Sequence, residues 1–445
     1  MPIQLPASPI SPFLRRMISE ALDSVNGATA LRRAVRKDGD WLTVGSRRFD
    51  LRQYEQVVVV GAGKATAPMA RSIERMLGRR LHSGLVIVKY GHGLPTKRII
   101  VKEAGHPVPD RAGLMAAAQL RNLASSLTSR DLLVVLLSGG ASSLMPAPVP
   151  GITLGDKQRV TRQLLRSGAE ISEINTVRKH LSSLKGGRLA ESTRATVITL
   201  ILSDVLGDDL SAIASGPTAP DRTTYDDAIA CLKQYRLWSS VPHRVRTHLS
   251  RGRRGDFPET PKPRSPIFRR VHPQIIGNNR LALTAVERVA TKAGFRTFLH
   301  SDALTGEARV AGKRFGTLAH DLLARRHRGS RPYCVMAGGE TTVTVTGPGK
   351  GGRAQEFAVA AAKAIAGLPR VWAVAVGTDG TDGPTDVAGA LVGGNTCAIA
   401  KRLGVDLDSA LTENDTYPAL KSLHSLITTG PTGTNVNDLY LLFIL

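Results

Sequence analysis

The chain has 445 residues, 60 basic and 36 acidic, for a formal charge of +24. At about 150 residues per domain that length predicts two or three domains, and 42% hydrophobic residues exclude a disordered polymer. Only 4% of residues are aromatic against 44 glycines, which argues against an aromatic-rich all-β scaffold and for small-residue helices and tight turns.

The N-terminus carries Arg15 and Arg16 before any continuous apolar run and does not read as a signal peptide. Its first element is a helix, with Ser11 placed to cap it, Pro12 in the first turn, and Leu14, Met17, Ile18, Ala21 and Val25 on one face. Gln56–Val60, Leu85–Val88, Leu132–Leu137 and Val197–Leu202 are near-continuous apolar runs separated by helical segments, the pattern of a parallel sheet covered on both faces. Between Leu249 and Pro273, proline, arginine and glycine dominate, which predicts a solvated basic connector at 251–273 between a first domain, 1–250, and a second, 274–445. The second α/β series is expected to open at Gln274–Ile276 and to continue through strands Cys334–Met336, Thr341–Val345, Val371–Val376 and Tyr440–Ile444, with an alanine-rich helix near Gln355.

No run is long enough to span a membrane. Cys231, Cys334 and Cys397 form no pairing pattern, so a reduced, cytoplasmic setting is expected. The excess charge is spread along the chain without zinc-finger spacing or an RNP-like aromatic motif, and no specific nucleic-acid partner is expected.

The candidate chemistry sits where strands end. Val57–Ala67 carries Gly61-Ala62-Gly63-Lys64, a strand-to-helix turn suited to an anion. Thr66 interrupts a dinucleotide fingerprint, and the spacing is not that of a Walker A loop. Lys64 is a cation where the helix dipole disfavours one, which a bound anion explains; a solvated lysine beside a structural turn is the plainer reading. Ser138-Gly139-Gly140-Ala141-Ser142-Ser143 follows the Leu132 strand and offers a backbone cradle for phosphate, or a plain turn with a serine cap. Arg178, Lys179, Lys185 and Arg188 can present cations to a carboxylate or phosphate, or form a solvated basic helix. Asp204, Asp208 and Asp209 follow a strand and can hold a hard cation, or cap the next helix. In the second half, Gly338-Gly339-Glu340 ends a strand, and the glycine loop 347–352 leads to Arg353, again a cation at a helix start. The carboxylates of Gly377–Asp386 are spaced like the start of an EF-hand but lack its closing glutamate. Loops of this kind in both halves suggest a phosphorylated ligand in an interdomain cleft.

Seven ordered segments resemble the class II glycerate kinases, whose C-terminal part is called the MOFRL domain: Gly61–Ala65, Ser138–Leu144, Ile174–Ala190, Leu202–Thr218, Gly351–Glu356, Gly377–Ala390 and Thr429–Asp438. The resemblance implies an N-terminal Rossmann-like parallel sheet flanked by helices, a smaller C-terminal α/β domain with its MOFRL region at about 331–440, and the active site in the cleft. It implies ATP-dependent phosphorylation of D-glycerate to 2-phosphoglycerate with Mg2+, by a monomer or homodimer. Lys64 and Arg353 carry over as the catalytic residues. Gly61, Gly63, Ser138, Gly139, Gly140, Ala141 and Ser142 are then expected to bind ATP, Arg178 and Glu340 the glycerate, and Asp204 and Asp379 the metal. Ala354 departs from the asparagine expected in GGRNQE. The alternative activity is an NAD(P)H-dependent hydroxypyruvate reductase.

Overall fold

A computed structural model describes residues 3–325, 327 and 329–445. The chain divides into two compact units, one made of Gly27–Ile276, the other of Met1–Asn26 together with Gly277–Leu445.

In the first unit six strands form one sheet in the order Ile99–Ala104, Leu81–Lys89, Val57–Ala62, Leu132–Leu137, Thr196–Leu202, Val271–Gly277. The four pairings among the first five are parallel. Every residue of the Val57 and Leu132 strands is buried, which accounts for their unbroken apolar sequence. On one face Val58, Val60, Leu133 and Val135 share a core with Ala116, Ala117 and Leu120 of helix Arg111–Ser125. A second apolar cluster joins the helices Leu154–Arg166, Ile171–His180, Tyr225–Gln234 and His243–Arg253 through Val160, Leu164, Val177, Ile229 and Leu249.

The boundaries differ from the sequence expectation at both ends. Gln274–Ile276 belongs to the sixth strand of the first sheet and does not open the second series. The stretch 251–273 is packed, not a solvated connector: Glu259 accepts from the Tyr225 N–H at 2.8 Å, Thr260 donates to Asp221 at 2.9 Å, and Arg270 donates to the Ala190 carbonyl at 2.9 Å. Side-chain bonds to distant segments offset its proline-rich, helix-poor composition.

In the second unit the order is Arg296–Leu304, Tyr333–Gly339, Asp438–Ile444, Val371–Gly377, Gly389–Gly393, Leu426–Ile427. The first pair is parallel and the others antiparallel. The closing strand is thus inserted at the centre. Helix Arg353–Ala364 lies against helix Ala308–Ala324, where a Cβ on Gly312 would come within 2.2 Å of the Phe357 carbonyl oxygen, so small residues set the close approach. The first helix, Ser11–Ser24, packs here against Asn279–Lys292, with Phe13 edge-on to Phe295 and Glu20 2.7 Å from Arg288. Ser11 does not cap it; its hydroxyl donates to the Pro6 carbonyl. Thr341–Val345 is no strand: Thr342 makes only an isolated bridge to Glu307, and Val345 is 74% exposed. Among the described residues no helix is long and apolar enough to cross a membrane.

Candidate functional site

The Val57 and Leu132 strands lie side by side in parallel register, so the turns that follow them meet. Gly61 and Gly63 are glycines because of that neighbour. A Cβ on Gly61 would sit 2.3 Å from the Leu136 carbonyl oxygen, and one on Gly63 2.1 Å from Ser138 Oγ. Ser138 is buried and turned inward, its Oγ accepting from the Ala65 N–H at 3.0 Å and bonded to Thr66 Oγ1 at 3.0 Å. These three residues, expected to touch the nucleotide, brace one turn against the other. The Lys64 N–H donates to the Gly139 carbonyl at 2.9 Å, which completes the brace and carries the Lys64 side chain to Gly140. Gly140 is left-handed at φ +84°, with Lys64 Cγ and the His106 ring against the place a Cβ would take. Asp204 approaches the same loop: a Cβ on Gly139 would meet its Oδ2 at 2.3 Å.

Ser142 ties three of the sequence segments together. Lys185 Nζ donates to the Ser142 carbonyl at 2.8 Å and its Oγ at 2.9 Å. Ser142 Oγ lies 2.6 Å from Ser215 Oγ, which donates to Asn175 Oδ1 at 2.9 Å. Ser215 is held at φ +59°, a conformation costly for a non-glycine residue and concentrated at functional sites. Ala141 is buried behind the loop in the apolar core.

Beside this loop is a cavity of about 400 Å³, lined by Gly140, Ser142 and Ser143 together with Lys157, Arg178 and Lys185. Of the cations read from the sequence, Arg178 and Lys185 reach it. Lys179 is committed to Asp221 at 3.2 Å with both groups buried, and Arg188 donates to the Ser182 carbonyl at 3.0 Å. His180 is sealed, bonded to the Thr176 carbonyl and to Glu259, and is no free base. Burial, then Lys64 nearby, pushes His106 down to about 4, so its ring is neutral near pH 7.

Lys157 escaped the sequence reading, since its helix is crowded with basic residues. Its signal was position: with Val160 and Leu164 it forms the buried stripe of Leu154–Arg166. Its Nζ is shut off from solvent without an acceptor, and burial, then Arg178 and Arg188, lowers its pKa to about 7.

In the second unit Arg353 is the first residue of its helix, as expected. It makes two hydrogen bonds to the buried Asp438, Nε–Oδ2 at 2.7 Å and Nη2–Oδ1 at 3.0 Å, and an ion pair with the more exposed Glu340. Burial opposes its charge, and the two carboxylates more than offset that, holding the guanidinium protonated. Tyr440 donates to Asp438 Oδ2 at 3.0 Å. The glycine loop before Arg353 is packed: Cβ atoms on Gly347, Gly349 and Gly352 would meet Glu413 and Asp382 within 2.4 Å. Ala354 is fully buried in the unit's apolar core, so its departure from asparagine falls on packing.

The carboxylates of Gly377–Asp386 have local work. Asp379 accepts from the Thr381 N–H and hydroxyl at 3.1 Å, Asp382 caps the Arg353 helix, and Asp386 accepts from the Tyr417 hydroxyl at 2.9 Å. Asp209 likewise accepts from the Ser211 N–H at 2.8 Å. Among the described residues no group of three or more His, Cys, Asp or Glu side chains is gathered to hold a metal.

Residues 13–250 match the family described as a domain of unknown function, DUF4147, and residues 333–438 match the MOFRL family. The chain is 41% identical over 430 residues to the glycerate 2-kinase of Pyrococcus horikoshii, covering 96% of each chain. A protein of Agrobacterium vitis provisionally named hydroxypyruvate reductase is 42% identical over 87% of each. The crystal structure of the Thermotoga maritima glycerate kinase superposes with a TM-score of 0.85 at 38% identity, over 98% of this chain and 99% of that one.

Proposed function

The chain belongs to the glycerate 2-kinase family that joins a DUF4147 domain to a MOFRL domain, and from that premise we propose that it transfers the γ-phosphoryl group of ATP to a hydroxyl of D-glycerate, giving 2-phosphoglycerate. The observation that carries this reading is the cavity beside the Ser138–Ser143 loop, walled by Lys157, Arg178 and Lys185 with no carboxylate in its lining. Phosphoryl transfer needs little covalent help from protein; its catalysts position the reactants and stabilise charge on the moving group. Lys64, delivered to Gly140 by the interlocked turns, serves that purpose, and Arg353, pre-aimed by Asp438 and Glu340, is the second such cation. In-line attack bonds the glycerate hydroxyl oxygen to the γ-phosphorus as the bond to ADP breaks, and the hydroxyl proton passes to solvent. Gly139, Gly140 and Ser142 supply the loop that holds ATP, and Arg178 meets an anionic group of the substrates. Glu340 acts through Arg353.

Magnesium is held by one or two carboxylates plus phosphate oxygens, and Asp204, whose carboxylate abuts Gly139, fits that requirement with Asp379 as a further candidate. When bound it would neutralise charge on the phosphates. The test is phosphorus NMR of the purified protein with ATP, magnesium and D-glycerate, beside a tube with hydroxypyruvate and NADH. A glycerate-dependent phosphomonoester signal is expected, and its proton coupling identifies the hydroxyl. NADH oxidation without that signal would overturn the proposal.

A further inference from the structure

We infer that Ser142 is a phosphoryl acceptor in its own right: with ATP bound and glycerate absent, the γ-phosphoryl group passes to Ser142 Oγ, Lys185 takes the proton, and the resulting phosphoserine blocks the cavity. The site depends on the kinase reading above for its donor and adds to it a modification that switches the enzyme off.

Three serines lie on the Ser138–Ser143 loop, and their environments separate them. Ser138 is buried, and its Oγ faces the Ala65 N–H and Thr66. Ser143 Oγ donates to the Gly140 carbonyl at 3.1 Å, within its own turn. Ser142 lines the cavity, and Lys185 Nζ stands 2.9 Å from its Oγ. The same Nζ is anchored on the Ser142 carbonyl at 2.8 Å, and Ser215 Oγ, 2.6 Å away, fixes the hydroxyl from the other side. A hydroxyl in contact with an amine, each held from a further side, is the arrangement that activates a nucleophile. A loop that holds ATP by its phosphates brings the γ-phosphorus to that hydroxyl.

Charge makes the amine a base. Lys185 is buried, the two Ser142 oxygens it meets are neutral, and no carboxylate lines the space. Lys179 in the same segment is instead matched by Asp221 at 3.2 Å. Burial, then Lys157 and Arg178, hold the Lys185 pKa well below the ordinary lysine range. A lysine desolvated beside other cations is available as the free amine. Attack forms the Oγ–Pγ bond as the bond from Pγ to ADP breaks, and the hydroxyl proton goes to Nζ. The ammonium so made pairs with the phosphoserine, which carries about two negative charges. Lys157 Nζ, shut off from solvent without an acceptor, and Arg178 on the same wall offer it further cations. The charge and space that incoming phosphates need are then taken.

The test is intact mass and fragment sequencing of the full chain after incubation with ATP and magnesium, without D-glycerate. The expected result is a single added phosphate on Ser142, formed at a rate independent of protein concentration, with kinase activity falling in step. Ser142→Ala should gain no phosphate, and Lys185→Met should gain it roughly 10²-fold more slowly. Added D-glycerate should retard labelling of the wild type. No phosphate on the wild type, or phosphate mapped to another residue, overturns the inference without recourse to a variant. A rate that falls on dilution marks another enzyme as the kinase and overturns it too, and unchanged labelling in a folded Lys185→Met removes Lys185 as the base. Phosphorus NMR with D-glycerate separates this site from the kinase reading. Phosphoglycerate formed by a protein that never labels removes the modification site alone. Labelled Ser142 with no phosphoglycerate removes glycerate as acceptor and keeps Ser142.

Discussion

Arg353 and Asp438 come from two different elements of the second unit, a helix start and the first position of the central strand, and meet through two hydrogen bonds of 2.7 and 3.0 Å. A bidentate pair fixes the guanidinium plane as a single bond does not. Burial pushes the Asp438 carboxyl up to about 7, against the pull of Arg353. As pH falls through that value the carboxyl gains a proton and releases its hold on Arg353. We therefore expect kcat to rise with pH through about 7. Asp438→Asn, shaped like the protonated carboxyl, should lower kcat roughly tenfold and flatten that limb, with KM little changed. An unaltered pH profile in the variant would show that Asp438 does not position Arg353.

Lys64 and Ser138 stand on interlocked turns and should fail differently. Lys64→Ala removes a half-exposed side chain whose backbone contacts remain, so kcat is expected to drop ~10²–10³-fold or more while the thermal midpoint stays put. Ser138→Ala leaves the Ala65 N–H without its acceptor, a loss of about 1–3 kcal/mol that a denaturation midpoint will register. Near-wild-type turnover in Lys64→Ala would remove it from the mechanism.

The contrast between these two residues shows what the sequence could and could not disclose. Periodicity and glycine punctuation place the Val57 and Leu132 strands and the turns behind them, because burial on both faces demands unbroken apolar runs. Whether a glycine or serine in such a turn serves a ligand or a neighbouring strand depends on register, and the pairing of Val57 with Leu132 is a long-range fact. For the same reason the helix Ser11–Ser24 was legible as a helix but not as part of the second unit, and Thr341–Val345 carried β-branched residues without a strand to pair with. Arg353 was visible as a misplaced cation. Asp438, which explains its place, lies 85 residues away.

Asp382 is the acceptor that lets Arg353 begin a helix. Its carboxylate takes the Ala354 N–H at 3.0 Å, the Gln355 N–H at 2.9 Å and Gln355 Nε2 at 2.9 Å. The first two are backbone donors that a helix start leaves open, the third is a side-chain amide, and the N-cap residue, Gly352, supplies no side-chain acceptor. Asp382→Ala strands all three in a buried setting and is expected to cost about 2–3 kcal/mol, seen as a lower denaturant midpoint at unchanged slope. A shift below about 0.5 kcal/mol would mean the helix is held by its packing alone.

Lys157 links proton uptake to ligand binding. Its pKa in the folded protein is about 7, against an ordinary 10.5, so above pH 7 it is largely neutral while the unfolded chain keeps the proton. Stability of the ligand-free protein should accordingly rise between about pH 7 and 10.5, and this contribution disappears in Lys157→Met. An anion bound beside Nζ favours the charged form and raises the pKa again. Binding of ADP at pH 8.5 is therefore expected to take up as much as one proton more in the wild type than in Lys157→Met, and at pH 6, where Lys157 is already charged, the two should agree. Calorimetry in buffers of different ionisation enthalpy counts those protons directly. Equal uptake by both proteins at pH 8.5 would mean that the ammonium group does not meet the bound phosphates.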